Sequence, residues 1–133
     1  MQSRRSCQML IAVGSLFAAL AVAAGAFGAH MLKSILDPSM LAVFETAARY
    51  QMYHALGMIA VGLAGQVFGC PQVARAGWCF AAGIFLFCGS LYGVSLLGIR
   101  WLGAMTPIGG LAFIIGWSLF GWSIWSEKRA RPD

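Results

Sequence analysis

His30, Tyr50, Gln51, His54, Ser90, Tyr92 and Thr106 are polar side chains set in otherwise apolar sequence. A polar group in hydrocarbon must find a partner or a water-lined cavity. Gln51 and His54 are three residues apart and share a helical face with Ala47 and Met58, so both can point into a bundle. Two chemistries follow. The groups can hydrogen-bond one another and hold helices in register, at about 0.6 kcal/mol per interhelical bond. Alternatively they line a small polar pocket for a ligand headgroup, an ion or a quinone ring.

Paired histidines also raise bis-imidazole haem ligation between helices. His30 closes one helix whereas His54 lies about one turn inside the next, so at about 1.5 Å per residue their depths differ by several ångströms. No haem, other cofactor or metal is expected. Hydrolysis or group transfer needs a nucleophile with a base, or paired carboxylates. The four acidic residues, Asp37, Glu45, Glu127 and Asp133, all lie outside the deep apolar runs. Glu45 and Arg49, spaced i,i+4, read as a surface pair of little energetic weight. The chain is therefore read as having no enzymatic activity. Cys7, Cys70, Cys79 and Cys88 show no CxxC or Cys/His spacing and read as small apolar fillers.

Of 133 residues, 60% are hydrophobic and 10% charged, far more apolar than an average soluble domain. A soluble fold this short could not hide that much apolar surface. The net charge of +5 could suggest a nucleic-acid partner, but the basic residues are single or in short terminal clusters and form no stripe for phosphates. Nucleic acid is rejected as a partner, and the lipid bilayer is the solvent that the composition demands.

Residues 9–29 are free of charge and long enough to span the bilayer core of about 30 Å. Arg4 and Arg5 before a run ending in Ala23-Ala24-Gly25-Ala26 resemble a secretory signal, and Ser3-Arg4-Arg5 a twin-arginine one. The run exceeds a signal core and further spans follow, so it is read as a retained first span. Asp37-Pro38 reads as an N-cap with proline at the first helical position. The helix it starts, with Met40, Leu41, Phe44 and Ala48 at helical spacing, is expected to lie briefly in the interface before diving. Span two covers about 50–68 and ends at Gly69-Cys70-Pro71. Span three covers about 76–98, and a hairpin at Gly98-Ile99-Arg100 leads to span four, about 101–125.

The expected fold is thus all-α: a polytopic membrane protein, one domain over 1–133, in which four antiparallel transmembrane helices bundle, with a short interfacial helix segment before span two. Four spans put Arg4, Arg5, Arg75, Lys128, Arg129 and Arg131 on one face and Lys33, Arg49 and Arg100 on the other. The positive-inside rule then places both termini in the cytoplasm. Trp78, Trp122 and Trp125 fall at the inner boundary and Trp101 at the outer, as in an aromatic belt. In this orientation the polar side chains gather in the outer half.

Gly25 with Ala29, and Gly89 with Gly93, are small-xxx-small pairs that let helices approach closely, first within the bundle and secondarily between copies. Pro107, Gly109 and Gly110 are counted with these helix-packing positions, and the two glycines after the proline are expected to loosen or kink span four.

GAFGAH at 25–30, FETAARYQMYHALG at 44–57, FCGSLYGVSLLG at 87–98 and TPIGGLAFIIGW at 106–117 resemble the bacterial inner-membrane family labelled domain of unknown function 423. Its eukaryotic relatives are the transmembrane protein 256-like proteins. The resemblance runs from span one through span four and implies a small multi-span protein without an assigned activity. The matching positions that it marks for a shared role are His30, Tyr50, Gln51, His54, Ser90, Tyr92, Thr106 and Pro107.

The functional expectation is an accessory or assembly component of a larger membrane complex, or of a homo-oligomer. The rivals are an oligomeric transporter or channel, which discontinuous helices near Pro107 would favour and the lack of intramembrane charge disfavours, and a quinone or lipid-headgroup binder.

Overall fold

The computed structural model describes residues 2–68 and 71–130, with side chains at 5–68, 71 and 73–126. Gly69, Cys70, Arg131 and Asp133 lie outside the described residues, as do the side chains of Arg4, Glu127, Lys128 and Arg129. The break expected at 69–70 and part of the basic count fall there.

Among the described residues the regular structure is helical throughout: α1 (Gln2–His30), α2 (Pro38–Phe68), α3 (Pro71–Gly83), α4 (Gly89–Leu97) and α5 (Thr106–Ala130). Two 3₁₀ turns, Leu32–Ser34 and Arg100–Met105, and a π-helical segment, Ile84–Cys88, complete it. The π segment joins α3 directly to α4, so the elements form four rods.

Three stretches, Arg5–Ser34, Val73–Leu97 and Arg100–Ser126, are long and apolar enough to cross a membrane. α2 has the length, 31 residues, but Tyr50, Gln51, Tyr53, His54 and Gln66 dilute its apolar run. This rod packs against α1, α3 and α4. Its two most polar mid-helix groups, Gln51 and His54, are buried there, so protein rather than hydrocarbon surrounds them.

Asp37 starts α2 as the sequence suggests. Its Oδ1 accepts from the backbone N–H of Ser39 at 2.9 Å and of Met40 at 3.1 Å, and its carbonyl from Leu41 N–H at 3.0 Å, while Pro38 needs no donor partner. Hydrogen bonds from the Ser39 hydroxyl and then the Met40 amide hold the Asp37 carboxyl below the usual carboxylate range. α2 is unbroken from there, as the absence of a break signal before span two suggests. Its first turns bury Phe44, Ala47 and Ala48, with the Phe44 ring 5.1 Å from that of Tyr92.

α4 ends on Gly98, whose φ of 68° is the left-handed conformation a glycine adopts without strain. The turn brings Gly98 N–H to Val94 O at 3.1 Å and Ile99 N–H to Gly93 O at 3.4 Å. The fourth rod is not α-helical from Trp101, as its apolarity suggests, but 3₁₀ up to Met105. Pro107 then sits in the first turn of α5, where its missing N–H costs no hydrogen bond. α5 continues without interruption through Gly109 and Gly110, so these residues mark no break.

Isolated glycines, rather than the expected pairs, close the helix seams. α1 and α2 run antiparallel with Gly14 against Met58 and the Ala55 carbonyl, Gly62 against Cys7 and Ile11, and Gly28 against Phe44. Across α3 and α5, Gly83 faces Phe113 and the Gly109 carbonyl, Gly109 faces the Phe87 backbone, and Gly116 faces Phe80. By contrast a Cβ added at Gly25 or Gly89 would have nothing within 4 Å, and Ala29 is exposed. These three positions do not pack helices within the chain. Gly93 does, against Leu102, and a Cβ added at Gly110 would be in ordinary contact with the Phe87 ring at 3.8 Å. Leu10, Met58, Val61, Val73, Phe80 and Cys88 fill the centre.

At Gly62 an added Cβ would stand 2.8 Å from the Cys7 carbonyl and 2.6 Å from Ile11 Cγ1. Gly62→Val is therefore expected to cost about 1–3 kcal/mol by overpacking, whereas Gly89→Ala is expected to be near neutral. Reversible unfolding in mixed micelles measures both, and equal effects would contradict the seam described here.

Candidate functional site

The polar residues picked out by sequence do not form one cluster. Gln51 sits between rods: its Nε2 donates to the Phe17 carbonyl of α1 at 2.9 Å, and its Oε1 accepts from the Tyr92 hydroxyl of α4 at 2.9 Å. One amide thus ties three rods, with 6% of its surface exposed. The Phe17 carbonyl can take this second bond because a carbonyl oxygen has two lone pairs.

Ser90 and Thr106 form a second group. The Ser90 hydroxyl donates to the Phe87 carbonyl at 2.9 Å, which leaves Thr106 to donate to Ser90 Oγ, also at 2.9 Å. Ser95 is satisfied locally by the Leu91 carbonyl at 2.9 Å. Each of these groups has found its partner inside the protein.

His54 belongs to a third, aromatic group. Its Nδ1 lies 2.7 Å from the Tyr50 carbonyl, and since a carbonyl only accepts, Nδ1 carries the proton. The imidazole stacks face to face on Phe113, with centroids 3.4 Å apart and planes 7° apart. Phe80 stands 5.5 Å away and Trp117 6.1 Å. Tyr50, expected among the buried polar groups, is 38% exposed and stacks its ring on Phe87 at 4.8 Å.

Beside this group runs a groove of about 760 Å³, walled by Tyr50, His54, Phe87, Phe113 and Trp117 and rimmed by Leu111 and Ile114. Leu111, Ile114 and Trp117 are exposed on the side of the bundle, so the groove opens laterally. Gln51 and Tyr92 line a different groove, with Phe17 and Gly89. His30 is exposed at the end of α1 and joins none of these groups.

Sequence reasoning found the polar members and missed the aromatic wall. Phe113 and Trp117, spaced i,i+4 in the fourth rod, were the available signal. The Phe17 carbonyl carried none, since every residue has one. Among the described residues no three of His, Cys, Asp and Glu come together as metal ligands.

The arrangement defines a helical membrane protein of internally paired polar groups, and relatives show which. The family model described as protein of unknown function (DUF423) matches residues 24–110. The UPF0382 membrane protein YwdK of Bacillus subtilis is 49% identical over 111 residues, covering 83% of this chain and 90% of the relative. The UPF0382 membrane protein SERP0230 of Staphylococcus epidermidis is 46% identical over 110 residues, covering 83% and 89%. The chain belongs to the DUF423 family. No solved structure matches it.

Gln51→Leu removes two inter-rod bonds and Tyr92→Phe one. A double-mutant cycle on unfolding in micelles is expected to give a Gln51–Tyr92 coupling of about 0.6 kcal/mol. A coupling of zero would mean that the two side chains do not meet.

Proposed function

We propose that this chain crosses the bacterial inner membrane four times with both termini in the cytoplasm, catalyses no reaction, and serves as an accessory or assembly component of a larger membrane complex. α2 is read as the fourth crossing because it has the length and its two most polar mid-helix groups, Gln51 and His54, face protein. The basic residues favour the stated orientation by six to three. Maleimide labelling of Arg75→Cys, against the parent chain as background, tests it. Arg75 is exposed near the start of α3, so the thiol is expected to react only once the inner membrane is opened, and reaction in intact cells would overturn the topology.

The assembly role rests on Gly25. The small-xxx-small pair Gly25 and Ala29 faces outward, with open space where the Gly25 side chain would be, and such a face lets another helix approach closely. The paired state of Gln51, Tyr92, Ser90 and Thr106 weighs against a conducting pathway, because groups bonded to each other offer nothing to a passing ion. Gly25→Leu is expected to leave the fold intact and to deplete co-purifying membrane proteins at least severalfold in mild-detergent pull-downs. Recovery of the same set, or a parent chain that emerges alone, would defeat the reading.

A further inference from the structure

His54 is 95% buried, being 5% exposed, and its Nδ1–H is used on the Tyr50 carbonyl. In the neutral imidazole the remaining nitrogen, Nε2, is then an acceptor. It has no hydrogen-bond partner among the described residues. A buried acceptor without a donor is costly and calls for an explanation. The ring that carries it lines the lateral groove.

From this geometry we infer that the groove binds an uncharged, apolar-tailed molecule that donates a hydroxyl to His54 Nε2, and that its head is a hydroquinone ring. Each part of the description has its own observation. The bound group donates because Nε2 can only accept. The molecule is uncharged because no Lys, Arg, Asp or Glu among the described residues lines the groove, so a phosphate headgroup would be left without a counter-charge. The head is flat because Tyr50, Phe87, Phe113 and Trp117 line the same groove as His54 with aromatic surface. The tail is apolar because the way out passes the exposed side chains of Leu111 and Ile114. The volume of about 760 Å³ lies within the range of small-molecule sites.

The tautomer also sets a preference between redox forms. A hydroquinone offers O–H donors to Nε2, whereas the corresponding quinone offers carbonyl oxygens, which would face a lone pair. The site therefore holds the reduced form, and no electron transfer is implied. It shares no residue with the Gly25 face and stands or falls separately from the assembly role.

The full chain in phosphatidylcholine nanodiscs, whose lipid has no hydroxyl, provides the test. Decyl-hydroquinone held reduced under anaerobic conditions, its quinone and dioleoylglycerol are titrated separately and scored by native mass spectrometry. One hydroquinone is expected per chain, with the quinone at least tenfold weaker. His54→Phe keeps the ring stack on Phe113, and the Tyr50 carbonyl keeps its helical N–H, so this variant should fold and lose at least tenfold in hydroquinone binding. Leu111→Trp fills the groove from its exposed rim and should exclude the ligand without changing the unfolding midpoint. Dioleoylglycerol binding in the hydroquinone's place, with the same dependence on His54, would uphold the hydroxyl-donor site and overturn the ring as its head. Equal binding of both redox forms, undiminished binding by His54→Phe, or no binding of any probe would overturn the inference.

Discussion

Gly109 of α5 lies against the backbone of Phe87 with no room for a side chain between them, and the arrangement of polar and aromatic groups depends on that approach. It brings the start of α5 near enough to the α4 rod for Thr106 to reach Ser90. It lets Phe113, one turn further along α5, cover the face of His54. The same contact sets the Phe87 ring over Tyr50. Any side chain at 109 would push the rods apart and loosen all three together, because packed interiors do not yield by small continuous amounts.

The second seam, between α1 and α2, does a different job. Gly14 and Gly62 bring the two backbones close enough for Gln51 to reach the Phe17 carbonyl. A side-chain bond to a main-chain acceptor ties α2 to the α1 rod itself, whatever side chain stands at 17. Tyr92 completes the bridge on the α4 side. Between them, two glycine seams and one amide hold four rods without a single buried charge among the described residues. This matters in lipid, where apolar side chains gain little by leaving hydrocarbon and close packing with hydrogen bonds must supply the association.

Much of this could be read from the residues, for stated reasons. Asp37-Pro38 marks the start of α2 because capping is local chemistry. The charge-free runs of the first, third and fourth rods are visible because lipid tolerates little else. Gly25 and Gly89 were misplaced because glycine spacing shows that a close approach is allowed without saying toward what. Gly62, which carries one seam, has no partner at the expected spacing and looks like an ordinary small residue, whereas Gly109 stands out beside Pro107 and Gly110 and does pack, without the expected kink. The 3₁₀ turn before Thr106 was hidden because Trp101 to Met105 are as apolar as the helix that follows. Gln51 and His54 were rightly placed on one helix, yet they face different neighbours. Three positions separate them by about 300°, some 60° short of a full turn, and in a crowded bundle that offset is enough to reach separate rods.

The π-helical segment at Ile84–Cys88 amounts to one surplus residue threaded into an otherwise α-helical rod. Since each α-helical residue turns the chain by about 100°, everything from Gly89 onward is rotated by roughly that angle from where an uninterrupted helix would aim it. Tyr92 faces Gln51 and Ser90 faces Thr106 in this rotated frame. Winding the same five residues as plain α-helix would swing these hydroxyls away from their partners, whereas loss of one residue within 84–88 would remove the bulge and keep them in place. In this segment the winding of the backbone, more than side-chain identity, sets the register of the fold.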